Sequence, residues 1–175
     1  MFKSFDPNQE YQKLTESKSV IRFQDCDPLR HLNNAKYFDY FFNAREDQVL
    51  ELYEISPGDI FNKFGAGWVV YQHQIAYVRP AMVGETVKIM SRCIFYDDDT
   101  LIVEYFMTDI KRQQLKTLLW TTLKFIEVKT GKKTPHPVPV LNFLKAVTDT
   151  RFDKENTDIN SRIKEIKEEL INHSS

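Results

Sequence analysis

The chain has 175 residues, 42% of them hydrophobic and 13% aromatic, enough apolar material for one domain whose core needs no disulfide or metal staple. Its 24 basic and 25 acidic residues nearly cancel, which excludes a global field that would draw it to nucleic acid or an anionic membrane. Two cysteines, Cys26 and Cys93, make no disulfide framework, MFKSFDPNQEYQK lacks a signal-peptide run, and no apolar stretch approaches the roughly 20 residues of a bilayer span, so a cytoplasmic protein with no integral membrane association is expected.

Residues 1–18 mix charges with scattered aromatics and read as an arm. Ser19 to Asp25, SVIRFQD, alternates Val20, Arg22 and Gln24 against Ile21 and Phe23, which predicts a first strand. From Ala35 the period changes. Phe38, Phe41, Phe42, Arg45, Val49 and Leu52 recur at threes and fours, predicting a helix to about Tyr53, with Asn33 or Asn34 as its cap. Ser56, Pro57 and Asp59 predict a short second helix ended by Gly65 and Gly67.

Residues 68–80, 85–96, 101–110 and 115–128 are rich in β-branched and aromatic side chains and predict four strands. The connections AMVG, DDD and KRQQ have the length that joins antiparallel neighbours, so a four-stranded meander wrapped around the long helix is expected. No helix separates these strands, which argues against a parallel sheet. The last strand is apolar on both faces, with Leu115, Leu119, Leu123 and Phe125 on one and Leu118, Trp120, Ile126 and Val128 on the other. A sheet of that kind must be covered twice, and the second cover points to a partner subunit.

Leu141 to Val147 follows, then a helix predicted over 151–172, whose Ile159, Ile163, Ile166 and Leu170 form a narrow stripe suited to packing by one edge. The organisation is therefore an arm at 1–18, an α+β domain at 19–140 and a helical extension at 141–175.

The chemistry concentrates in DPLRHLNNAKYFDY, residues 27–40. At a helix start the first N–H groups have no intrahelical acceptor, and the dipole favours an oxygen that gains negative charge. Asn34 N–H is the candidate donor to such an oxyanion. Asp27 can attack a carbonyl carbon or deprotonate a water. His31 can position that water, bond the acid, or protonate a leaving group. Together these parts would cleave an activated acyl compound. The same residues also suit an ordinary helix start, with Asp25 and Asp27 complementing the dipole, His31 as a structural hydrogen-bonder and Asn33 and Asn34 as caps.

RFQDCDPLRHLNNAKYFDYFFNAR resembles the signature of hot-dog-fold acyl-CoA thioesterases, the 4-hydroxybenzoyl-CoA thioesterase-like family, which runs Asp-x-Asp-x-x-Gly-His-x-Asn-Asn-x-x-Tyr and continues to an Arg. IAYVRPAMVGETVKI and LKFIEVKTGKKTPHP are similar to later segments of that family, so the likeness covers about residues 19–137. It implies a hot-dog fold, an antiparallel sheet around one long helix, and active sites at the interface of a homodimer or a dimer of dimers. It further implies that Asp27 is the catalytic carboxylate, that the Asn34 amide polarises the thioester and that His31 assists. The sequence departs from the pattern at Arg30, which stands where the family has Gly. It departs again at Leu29, where plant acyl-carrier-protein thioesterases carry an Asn, and that speaks against a copied Asn–His relay.

Tyr37, Trp68 and Arg79 are the candidate substrate-binding residues: the two aromatics for an acyl cavity, and Arg79, with Lys88, Lys111, Arg112 and Lys116, for coenzyme A phosphates. Carboxylates flanking Cys26 would raise its pKa and suppress a thiolate nucleophile. His73 reads as a sheet-surface or interface residue, the acids at 97–99 as a solvated hairpin tip, and His136 and His173 carry no assignment. No zinc constellation or phosphate loop is encoded, so no metal or cofactor is expected, coenzyme A being part of the substrate. The expected partner is an acyl-CoA, with acyl carrier protein as the alternative carrier. Two rivals share the fold: a non-hydrolytic acyl-thioester-binding or assembly protein, and a dehydratase or hydratase.

Overall fold

A computed structural model describes residues 3–6, 8–153 and 156–172. In chain order the elements are β1 (Thr15–Val20), α1 (Tyr37–Tyr53), α2 (Pro57–Phe64), β2 (Ala66–Tyr77), β3 (Thr86–Tyr96), β4 (Thr100–Asp109), β5 (Leu115–Glu127), α3 (Val138–Val147) and α4 (Ile159–Asn172). Five antiparallel strands form one sheet in the order β1-β3-β4-β5-β2, with α1 against its inner face. This is the helix-in-sheet arrangement of the hot-dog fold.

Several elements differ from expectation in informative ways. β1 lies four residues earlier than the alternation at 19–25 indicates, and Phe23–Asp25 is a 3₁₀ turn instead. The meander holds only for β3, β4 and β5. β2 pairs with the far side of β5, because the segment 78–85 crosses the end of the sheet rather than closing a hairpin. Leu115 packs in the outer cluster with Leu118 and Trp120, not with Leu119. A bulge places one extra residue, Lys116, between the pairs Met107–Thr117 and Thr108–Leu115, and one extra residue turns a side chain to the other face. Lys116 itself is buried and donates to the Pro80 carbonyl, with Glu85 as its ion-pair partner.

α1 buries Tyr37, Phe41, Ala44 and Gln48, one position round from the predicted stripe, and Leu52 is exposed. Hydropathy hides this because the buried face includes an amide. Gln48 is tolerated there because it donates to Ser17 Oγ and the Ile89 carbonyl and accepts from Thr15 and Ser91 hydroxyls. The displaced stripe of Phe38, Phe42 and Val49 is half-buried beside the core. α2 forms as expected, with a capping box between Ser56 and Asp59, and ends at Gly65, whose φ of 61° suits glycine.

Across β3, β4 and β5 the chain covers its own second face, where a partner subunit was expected. Met90, Ile94, Ile102, Phe106, Leu118 and Trp120 pack against Ile166 and Leu170 of α4. That helix begins at Ile159, so its predicted start at 151 is eight residues early; of the intervening positions, 154 and 155 lie outside the described residues. A buried carboxylate anchors it. Glu104, with no exposed surface, accepts from Arg92 Nε, Trp120 Nε1, Arg162 Nε and Arg162 Nη2 at 2.8–3.0 Å. Ion pairs of this kind are costly to assemble but costlier to break, because one partner's loss leaves the others charged and dry. Among the described residues no helix is long and apolar enough to cross a membrane.

Candidate active site

The segment between β1 and α1 is a closed loop. Cys26 and Leu32 form an antiparallel bridge, Asp27 N–H donates to the His31 carbonyl at 2.8 Å, and Arg30 N–H donates to the Asp27 carbonyl at 2.9 Å. Asp27 Oδ1 accepts from Leu29 N–H at 2.9 Å and from His31 N–H at 3.0 Å. Asp27 Oδ2 accepts from no described residue. One oxygen thus fixes the turn and the other is engaged by no described residue. Arg30, where the family pattern has glycine, adopts φ 66°, so the left-handed turn survives without the residue that forms it most cheaply.

The loop is also docked from outside. Leu32 N–H donates to the Ala81 carbonyl, Val83 N–H to the Arg30 carbonyl, and Asn33 N–H to the Asp25 carbonyl, all at 2.9–3.0 Å. His31 bridges Met82 through its backbone, and its ring is half-buried with no described hydrogen-bond partner.

Asn33 is the cap: its side chain accepts from Ala35 N–H at 3.0 Å, opening a 3₁₀ turn over Asn34–Lys36 that runs into α1. Lys36 N–H is taken by the Asn33 carbonyl, which leaves Asn34 N–H with no described acceptor. The Tyr77 hydroxyl donates to the Asn34 carbonyl at 2.8 Å and pins this turn to β2. Tyr40 links the same end of the helix to the loop, accepting from Arg22 N–H and donating to Asp25 Oδ2 at 2.9 Å. The loop therefore holds Asp27 and His31 in one turn and delivers Asn34 N–H, unpaired, at its exit.

Cys26 sits between the acids with its thiol pushed up by burial, then by Asp25 and Asp27, and its S–H donates to the Arg22 carbonyl at 3.3 Å. Tyr37 is buried, its ring edge-on to Tyr77 and its hydroxyl accepting from Ala81 N–H, so that it supports the loop. Arg79 is exposed at the end of β2, anchored by its N–H to the Lys116 carbonyl. The acids at 97–99 form a hairpin tip in which Asp97 Oδ1 accepts from Asp99 and Thr100 N–H and Asp99 pairs with Lys124.

Trp68 lines a cavity of about 260 Å³ on the inner side, walled by Phe42, Val49, Tyr105, Leu123 and Arg45 among others. Its indole N–H donates to His136 Nε2 at 2.9 Å, and His136 Nδ1 meets the Asp97 carbonyl at 3.1 Å. Accepting at Nε2 requires the tautomer with its proton on Nδ1. Burial holds the His136 pKa below the ordinary histidine value, opposed by the Asp97 carbonyl and nearby acids. Sequence reasoning missed this pair because Trp68 and His136 lie 68 residues apart and meet only through the pairing of β2 with β5. His73, on the exposed part of β2, accepts or donates at Thr121 Oγ1 and stacks near Phe38 and Phe42.

A family model described as the thioesterase-like superfamily matches residues 21–146. No curated protein sequence matches the chain significantly. Among solved structures, a 1,4-dihydroxy-2-naphthoyl-CoA thioesterase from Synechocystis superposes with a TM-score of 0.67 at 16% identity, over 80% of this chain and 99% of that one. The 12:0-ACP thioesterase from Umbellularia californica superposes with a TM-score of 0.73 at 14% identity, over 83% of this chain and 55% of that one. At these identities the likeness is one of fold.

Proposed function

Since the chain belongs to the thioesterase-like superfamily, we propose that it hydrolyses the thioester of an acyl-CoA to a free carboxylate and the CoA thiol. In this reading the thioester carbonyl oxygen lies at Asn34 N–H, and Asp27 Oδ2 takes a proton from the attacking water. The new C–O bond forms as the carbonyl oxygen gains charge, a single well-placed donor being worth about 3 to 4 kcal/mol to such an oxyanion. Collapse breaks the C–S bond, and the proton held by Asp27 passes to the departing thiolate, with His31 positioned to assist. Water is the only co-reactant, so no metal or redox cofactor enters the scheme.

The observation that carries the reading is the division of labour within one carboxylate: Oδ1 saturated by two N–H groups, Oδ2 unengaged, at the entrance to a turn whose first amide is unpaired. Leu29, Tyr77 and Met82 are exposed apolar side chains around this loop, and β2 is an edge strand that also exposes Val70 and Tyr71. A second copy paired along β2 would cover both, which supports a homodimer with its sites near the seam. Free Cys26 and Cys93 suit the reducing cytoplasm.

A thiol-release assay across acyl-CoA and acyl-carrier-protein thioesters, run beside hydration of an enoyl-CoA, tests the proposal. Turnover with saturation on acyl-CoA is expected. Saturable binding with no thiol released would make the protein a binding module, and hydration outrunning hydrolysis would make it a hydratase.

A further inference from the structure

The cavity beside α1 is largely apolar, and the proposed hydrolysis uses neither of two polar groups in its wall, Arg45 and Tyr105. Arg45 enters it from the helix, with Nη1 donating to Ser91 Oγ at 3.2 Å and Nη2 to Cys93 Sγ at 3.3 Å. Both acceptors are neutral, and no described carboxylate pairs with this guanidinium. Glu46, the next residue, borders the same cavity but is exposed and forms no ion pair with Arg45. Opposite stands Tyr105, only 4% exposed, whose hydroxyl has no described partner. Phe41 and Phe42 pack against its ring, and Cys93, already engaged by Arg45, lines the same cavity.

A guanidinium carries five donors in a planar fork that matches a carboxylate. Arg45 uses two of them on weak acceptors, and the half-buried side chain keeps the rest for another partner. Pockets that select ligands commonly have this composition, an apolar wall with a few convergent polar groups. The arrangement also has a direction. Phe38, Phe42, Arg45 and Val49 share one face of α1, and Arg45 stands eleven residues beyond Asn34, about 16 Å along the helix. A chain whose thioester lies at the helix start and whose body follows Phe38 and Phe42 brings its far end to Arg45 and Tyr105.

We infer that the acyl group carries a carboxylate at its far end, received by Arg45 and Tyr105, so that the substrate is the monothioester of a dicarboxylic acid. This rests on the thioesterase reading above and names its substrate class. The test compares kcat/KM for CoA thioesters of matched chain length that end in carboxylate or in methyl. The native protein should favour the carboxylate by about tenfold to a hundredfold, the scale of charge-assisted hydrogen bonds. Arg45→Met should bring that ratio close to one, Arg45→Lys should hold it between the two, and Tyr105→Phe should lower it severalfold. Tyr105→Phe removes only an oxygen, so it decides the matter if Arg45→Met fails to fold. A native ratio of one or less, or equal ratios in the native protein and every folded variant, would overturn the inference.

A binding arm separates this inference from the hydrolytic proposal. Free α,ω-dicarboxylates should raise the native protein's melting temperature more than monocarboxylates of the same length, and Tyr105→Phe should shrink the difference. That result with no thiol release would retain the carboxylate subsite and remove hydrolysis. Thiol release with equal melting shifts would retain hydrolysis and remove the subsite.

Discussion

The two faces of the sheet each bring a charge into the interior and treat it differently. On the outer face Glu104 is met by four donors from Arg92, Trp120 and Arg162, beneath α4. On the inner face Arg45 touches a hydroxyl and a thiol beside an open cavity. A saturated charge holds two elements together, whereas an unsaturated one beside a void is a place for a ligand. The outer charge thus fastens α4 to the sheet, and the inner one borders the cavity of the proposed carboxylate subsite.

That contrast is most easily broken at Glu104. Glu104→Ala takes from Arg92 and Arg162 the buried carboxylate they share, leaving them Asp149 and Glu165, and should cost about 3 kcal/mol, read as a lower midpoint in urea unfolding. Its turnover per folded molecule should match the native value at a temperature where both are folded; a large loss of turnover would mean the outer face reaches the chemistry.

On the inner side Trp68→Phe removes the indole N–H and leaves His136 Nε2 buried without a donor, for about 1–3 kcal/mol, measurable by the same unfolding titration. An unchanged midpoint would show that the pair does not fasten the cavity floor.

The smallest effect is one of pH. His136 stays neutral in the fold because burial lowers its pKa, while in the unfolded chain it takes up a proton near pH 6.5. Its contribution is therefore complete above about pH 6.5 and is lost progressively as pH falls from there toward the folded pKa. At most about 1 kcal/mol should disappear over the first pH unit, and His136→Gln should flatten that part of the stability profile. An equally steep profile in the variant would assign the titration elsewhere.

Local signals made much of this legible beforehand. The change from alternation to threes and fours marks α1, the Ser56–Asp59 capping box marks α2, and the contiguous run from Asp27 to Asn34 could be read as chemistry because its parts are neighbours in sequence. What escaped depends on pairing between distant segments. The short AMVG connection, 81–84, suits a hairpin, but the chain there crosses to the opposite edge, so β2 was joined to the wrong neighbour. The bulge at Lys116 reverses the facing of Leu115, and no periodicity announces it. Arg162 lies outside the Ile159–Leu170 stripe, and nothing local marks it as the partner of Glu104, 58 residues away. For the same reason the wall formed by Arg45, Trp68 and Tyr105 has no signature in one stretch of chain.

The decisive measurement is a single-turnover rate of thiol release from an acyl-CoA by Asp27→Asn, beside the native protein. Asparagine keeps an oxygen to accept the N–H groups of Leu29 and His31, so the loop should persist and the melting temperature change little. The rate should fall by about 10²–10⁴-fold, the range for a lost general base. A folded Asp27→Asn that releases thiol at the native rate would contradict the assignment of this carboxylate.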